Sequence, residues 1–580
     1  MIGSGQFSRI RKIARIKMKR EFVPENLNVD DVEQVTELFQ QLLDDVIPND
    51  AVSLRSWIMK WSELGSVLQE VSCRRYVAMT CNTADEAAAK AYESFVENIE
   101  PVSSEFDDKL NKKLMGHPAK DLLKNEFGVW FKSIQVSLDL FSPENIPLET
   151  EEMKAVQAYQ KITGGMSVEF DGKTQTMQQL SAYLERTDRD LREKSWRASW
   201  ERRMQDKDAL NKSFDRLFSI RNKIAKNAHC KDYIDYIYLA KRRFDYSPAH
   251  CRDFHESVEK LVLPLLKEIY RKRASKMGLE KLRPWDLAVD PLNRAPLAPY
   301  QSGEELIEKV DQIFESVHPQ AGKWARQMQS QRLIDPDSRL GKAPGGYQIG
   351  FDESRLPFIF MNSAKTDRDI YTLLHESGHS FHQFALADQP ILAYRDVPSE
   401  FAEVASMSME LIGMSNLKPF YGNDEEAIKR SAGAELEDVI WLFPWVASID
   451  SFQHEIYSRP NHTAADREEI WAGIMDRYDA GVDYSGLESY RNNMWQKQLH
   501  LFECPFYYIE YGIAQLGALQ VWANYKKDPQ KAIDDLFKAE SLGYSVSVPK
   551  MFEVANIKFD FTARTIEPLM QVVWDELSKY

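Results

Sequence analysis

Long stretches of this chain repeat apolar residues at i, i+3, i+4 and i+7, which is the spacing of one buried face of an α-helix. Val32–Val46, Ala84–Ile99, Leu191–Ala225, His250–Met277 and Glu304–Gln329 all carry it. Glycine, the residue that most weakens helix interiors, numbers only 25 in 580 residues, below the usual ~7%. The pattern predicts a mainly α-helical protein. Strand signals are few. Ser167–Phe170 followed by Asp171-Gly172 reads as the start of a hairpin. Gly346–Gly350 and Pro357–Met361 are short β-prone runs expected to form a small sheet. Four prolines between Arg283 and Tyr300 predict an ordered loop or a lobe boundary.

Composition narrows the function classes. The chain is 28% charged and 43% hydrophobic, as globular proteins are. No uncharged apolar run approaches the ~18 residues of a membrane span. The formal charge of −15 (Lys+Arg 74 against Asp+Glu 89) disfavours nucleic-acid binding. Five cysteines, widely spaced and without a CxxC, argue against a disulfide framework and for a reducing, cytoplasmic setting. Residues 1–20 are basic but lack the apolar stretch of a secretory signal, so they read as a loose leader.

The chemistry concentrates in residues 371–384, YTLLHESGHSFHQF. His375 and His379 are four apart, so on a helix they share one face and can bind one zinc ion; Glu376 between them can act on water at the metal. Thr366-Asp367-Arg368-Asp369 upstream resembles a capping box, and Ile370, Leu373, Leu374, Phe381 and Phe384 supply apolar faces. A catalytic zinc needs a third protein ligand. The metzincin pattern fails, because its last histidine position is Ala385. The 399–414 stretch, SEFAEVASMSMELIGM, is a helix candidate with Pro398 fitting its first turn, and it offers Glu400, Glu403 and Glu410. His382 reads as a packing residue, and His454 as a satisfied structural histidine.

HESGHSFH, followed by Glu403 at 28 residues from His375, resembles the thimet oligopeptidase and oligoendopeptidase F family. Further segments resemble it too: VEFDGKTQTMQQLSAYLERTDRDLREKSW (168–196), GKAPGGY (341–347), PFIFMN (357–362), IDSFQHEIY (449–457) and HLFECPFYYIEYGIAQLG (500–517). The resemblance implies a two-lobed helical body with a deep substrate cleft. It implies an N-terminal helical region at 21–185 and a catalytic region at 186–580. It also implies one zinc held by His375, His379 and Glu403, with Glu376 as general base. His500, Tyr508 and Tyr511 are expected to bind substrate and stabilise the transition state, with Tyr507 the alternative to either tyrosine. Gly345, Gly346 and Tyr347 are expected in a substrate-holding loop, and Glu400 and Glu410 are left as helix-pairing or solvated carboxylates. The implied activity is hydrolysis of internal bonds in short unfolded peptides, with no nucleic-acid or membrane partner and the oligomeric state open. The alternatives are a helical HExxH carboxypeptidase and an inactive peptide-binding scaffold. No nucleotide loop (GxxxxGK[ST]) or GxSxG elbow is present.

Overall fold

The computed structural model describes residues 20–580, so the basic leader, apart from Arg20, lies outside the described residues. The described residues are mainly helical, with five short strands in two small sheets. β1 (Ser167–Phe170) and β2 (Lys173–Thr176) form the expected antiparallel hairpin, turned at Asp171-Gly172, both with positive φ. β3 (Ile334–Asp337), β4 (Tyr347–Phe351) and β5 (Leu356–Ser363) form a three-stranded sheet in the order β3-β5-β4. β5 runs antiparallel to β4 and parallel to β3. Central β5 is buried along nearly its whole length, as its LPFIFMNS sequence requires.

Helices begin where short polar side chains satisfy their open N–H groups. Asp31 caps Val32–Asp44, Asp50 caps Ala51–Cys81 and Asp85 caps Glu86–Asn98. Two long predicted helices are each interrupted. The 191–225 stretch becomes Arg189–Gln205 and Lys207–Asn227, broken at Asp206. The 304–329 stretch becomes Gly303–Val317 and Pro319–Ser330, because Pro319 forces His318 out of the helical region (φ −160°, ψ 135°). The proline-rich 283–300 segment is a loop with one tight turn, Pro284–Asp286. Arg189 and Arg192 pin it at buried Asp286, at 2.8 and 3.0 Å.

Two compact units divide the chain. One takes in the chain up to Leu138, Ala298–Ile428 and Gly517–Phe559; the other takes in Asp139–Leu297, Lys429–Leu516 and Asp560–Tyr580. The first has a core around Leu38, Trp57, Leu64, Phe127 and Tyr394, and it also holds the β3-β5-β4 sheet and the HExxH helix. The second has a tryptophan cluster of Trp196, Trp200 and Trp285 beneath Leu487.

Candidate metal centre

β5 leads through a short turn into helix Arg368–Ala385, the histidine helix. Lys365 takes a positive φ there, and Tyr300 and Asp369 fasten the turn. The Asp369 carboxylate accepts the amides of Ala364 (3.0 Å) and Thr366 (2.7 Å). The predicted capping box is therefore only half present, since the Thr366 hydroxyl donates to Asp369 rather than capping the helix. The histidine helix packs against helix Ser399–Met414, the glutamate helix. Pro398 stands just before that helix, at its cap, rather than in its first turn.

The two helices approach as closely as they do because two contact positions are glycine. A methyl group at Gly378 would lie 2.6 Å from the Ala405 carbonyl oxygen and from Ser406 Cα. A methyl at Gly413 would fall 2.4 Å from Leu374 Cδ1. This close approach brings Glu403 beside the histidine pair. His375 Nε2 lies 3.4 Å and His379 Nε2 3.7 Å from Glu403 Oε2. The three donor atoms all lie within 4.8 Å of one another.

Each donor is held by a partner on the glutamate helix. Glu410 Oε1 lies 2.5 Å from His375 Nδ1, leaving Nε2 turned to Glu403. The His379 ring bonds the Ala402 carbonyl. The Ser406 hydroxyl donates to Glu403 Oε2 at 3.0 Å. Glu410 is thus no solvated carboxylate. It is seven residues beyond Glu403, two helical turns along the same face, and that spacing was the available sequence signal. Glu400, one turn before Glu403, is buried as well.

Ligands bonded at ~2.0–2.2 Å to a tetrahedral ion stand about 3.3–3.6 Å from one another. Of the two imidazole-to-carboxylate distances, 3.4 Å falls within that edge and 3.7 Å lies 0.1 Å beyond it, so the donor set fits a zinc ion. Burial pushes the His375 ring down, but the carboxylates of Glu410, Glu403 and Glu376 outweigh it and bring its pKa to about 10. His379 is driven down to about 4, first by burial and despite the nearby Glu403. Glu376 is pushed up to about 7 by burial, with Glu403 and Glu410 adding to the rise. Its carboxylate accepts the backbone N–H of Gln348 on β4, which fixes the direction in which it points. A carboxyl poised near neutrality can take up and give back a proton at physiological pH.

The remaining candidates fall in different places. His382 packs edge-on against Phe401, bonds the Glu540 backbone and stays neutral, its pKa lowered to about 3 by burial. Gly345 has a positive φ of 96°, and the Asn362 side chain holds its carbonyl at 2.8 Å. Gly346 leads directly into β4. Tyr347 opens that strand, stacks on Phe360 with ring centroids 4.8 Å apart and bonds Thr80 at 2.6 Å. In the other unit, His500, Tyr507, Tyr508 and Tyr511 form one aromatic group. His500 stands 5.0 Å from Tyr508 and 6.0 Å from Tyr511, while Tyr507 also stacks on it at 5.5 Å. Gln498 Nε2 lies 2.8 Å from His500 Nδ1. The register of these tyrosines is set by Phe506, a non-glycine residue at φ 63°. Its carbonyl accepts from Arg243, and its amide donates to Gln453 at 2.5 Å. No sequence signal announced that turn.

Comparison with known proteins agrees with this architecture. The model of peptidase family M3 matches residues 182–570, and that of the Peptidase M3 N-terminal domain matches 22–141. An oligoendopeptidase F homolog of Borreliella burgdorferi is 26% identical over 294 residues, 49% of this chain and 48% of the relative. One from Lactococcus lactis is 32% identical over 165 residues, 28% of this chain and 27% of the relative. The chain therefore matches about half or less of the length of these curated relatives. A solved structure of PZ peptidase A with an inhibitor superposes with a TM-score of 0.86 at 26% identity, covering 97% of this chain and 99% of that one. Oligoendopeptidase F from Enterococcus faecium shares the fold at a TM-score of 0.63 and 15% identity, with 95% and 97% covered. The helical body, its small sheets and the two family matches together place this chain in peptidase family M3.

Proposed function

We propose that this protein is a zinc-dependent endopeptidase that hydrolyses internal bonds of short, unfolded oligopeptides. The observation that carries the reading is the convergence of His375, His379 and Glu403 within 4.8 Å, with Glu376 beside them on the same helix. His375, His379 and Glu403 would hold the ion. Zinc at such a site supplies a positive centre that lowers the pKa of water toward about 7 and polarises a carbonyl. Glu376 accepts the proton from the attacking water and passes it to the leaving amine nitrogen, a transfer its pKa of about 7 supports. Glu410 and Ala402 hold each imidazole, once neutral, in the tautomer that leaves its ligating nitrogen free of a proton. His375 must lose its proton before it can bind a cation, so metal uptake releases acid.

His500, Tyr508 and Tyr511 are proposed as donors to the oxyanion, with Tyr507 as the alternative, and residues 345–347 as substrate contacts. A division at 185/186 between an N-terminal helical region and a catalytic region is proposed as well. A cytoplasmic location is supported by five free cysteines. No helix among the described residues is long and apolar enough to cross a membrane. The test is mass spectrometry of a peptide mixture incubated with the protein, with and without chelator. Internal cleavage that stops on chelation and returns with zinc supports the reading. Loss of C-terminal residues alone would mark a carboxypeptidase, and binding without cleavage an inactive scaffold.

A further inference from the structure

The second unit contains another convergence of metal-ligating side chains. Helix Pro248–Ser257 carries Cys251 and His255, four residues apart, and helix Glu425–Tyr457 carries Asp450 and His454, also four apart. Each pair therefore lies on one helix face. Donor atoms of Cys251, Asp450 and His454 all lie within 4.8 Å of one another.

Three features distinguish the group from an ordinary buried ion pair. First, His454 Nε2 stands 3.4 Å from Asp450 Oδ2, too long for a strong charge-assisted hydrogen bond but equal to the His375–Glu403 spacing. His255 Nε2, by contrast, makes a normal bond to the same oxygen at 2.8 Å. His255 is itself fixed through Nδ1 by Ser451 at 3.1 Å, so it orients Asp450 as an outer-shell partner orients a ligand. Second, Asp450 is fully buried, yet its Oδ1 has no hydrogen-bond partner. A buried carboxylate oxygen without a donor costs free energy unless a cation satisfies it. Third, the charges balance. A divalent ion with one thiolate, one carboxylate and one neutral imidazole sums to zero, which suits an interior position. Burial and the nearby Asp450 hold the Cys251 thiol protonated when no cation is present, whereas coordination removes that proton. The Tyr238 hydroxyl, 3.0 Å from Cys251 Sγ and 3.4 Å from His454 Nε2, can donate to the resulting thiolate. The guanidinium of Arg243, 4.7 Å from the Tyr238 ring, and that of Arg252 are the nearby cations.

We infer that Cys251, Asp450 and His454 form a second metal site, for a zinc-class divalent cation that accepts thiolate, imidazole and carboxylate ligands. Binding forms the metal–sulfur, metal–nitrogen and metal–oxygen bonds and releases the Cys251 proton to solvent, with no change of oxidation state.

The experiment is metal analysis of the full-length protein loaded with zinc and dialysed, in parallel with cobalt(II) reconstitution followed by absorption spectroscopy. Two zinc equivalents per chain are expected. Cys251→Ser, nearly isosteric and outside the peptidase centre, should lose one equivalent and keep peptide cleavage. His379→Ala should lose the other and retain the thiolate-to-cobalt charge-transfer band. One equivalent in the wild type with no thiolate band overturns the inference. So do two equivalents that both survive Cys251→Ser.

Discussion

Glu376, the only acid between the two histidines, is assigned the proton transfers. Replacing it with Gln keeps the side chain's size and removes its basicity. Glu376→Gln should therefore retain zinc at the 375/379/403 centre and lose peptide hydrolysis by roughly 10²–10⁴-fold, the usual weight of a general base. Near-normal turnover by a zinc-loaded variant would remove Glu376 from the role. Glu410 touches His375 rather than the substrate, so its loss should act through the metal. Glu410→Ala should weaken zinc affinity by roughly 10–100-fold, as loss of an outer-shell partner does. Titration against a metal buffer measures this, and unchanged affinity would show that the 2.5 Å contact to His375 is dispensable.

At the level of elements, the centre depends on how closely the histidine and glutamate helices pack. Gly378→Ala places a methyl 2.6 Å from backbone atoms of Ala405 and Ser406, which cannot swing aside. It should cost about 1–3 kcal/mol of stability and lower zinc retention together. Gly473→Ala is the control, because nothing lies within 4 Å of a methyl there and the residue is inside helix Ala464–Arg477. It should be neutral or stabilising by about 0.5–1 kcal/mol. Thermal melts with metal analysis separate the two outcomes. The same elements show what the sequence makes legible. The spacing of His375 and His379 and the apolar periodicity around them identify the histidine helix, because both are local. The hairpin at Asp171-Gly172 and strands β4 and β5 are legible for the same reason. β3 is not, since IDPD is polar and proline-containing and becomes a strand only by pairing with β5 across an intervening segment. Nor are the helix–helix roles of Gly378 and Gly413, which exist only once two distant segments meet.

On the scale of the whole molecule, folding carries an electrostatic cost at a carboxyl that the proposed chemistry does not use. Glu540 is fully buried, and neither carboxylate oxygen has a hydrogen-bond partner. Burial raises its pKa well above the ordinary value. The folded state thus holds a proton that the unfolded state gives up above about pH 4.3, so stability falls as pH rises past that point. Glu540→Gln should melt higher than wild type at about pH 8, with the gap closing toward about pH 5. A pH-independent difference between the two proteins would contradict this assignment.

In the proposed function, two imidazoles of one helix and a carboxylate of its neighbour grip a single catalytic ion. The most direct test is zinc content and peptide cleavage of Glu403→Ala measured side by side with wild type after identical dialysis. Glu403→Ala should lose one zinc equivalent and, with it, cleavage of internal peptide bonds. Unchanged zinc and unchanged cleavage would contradict it.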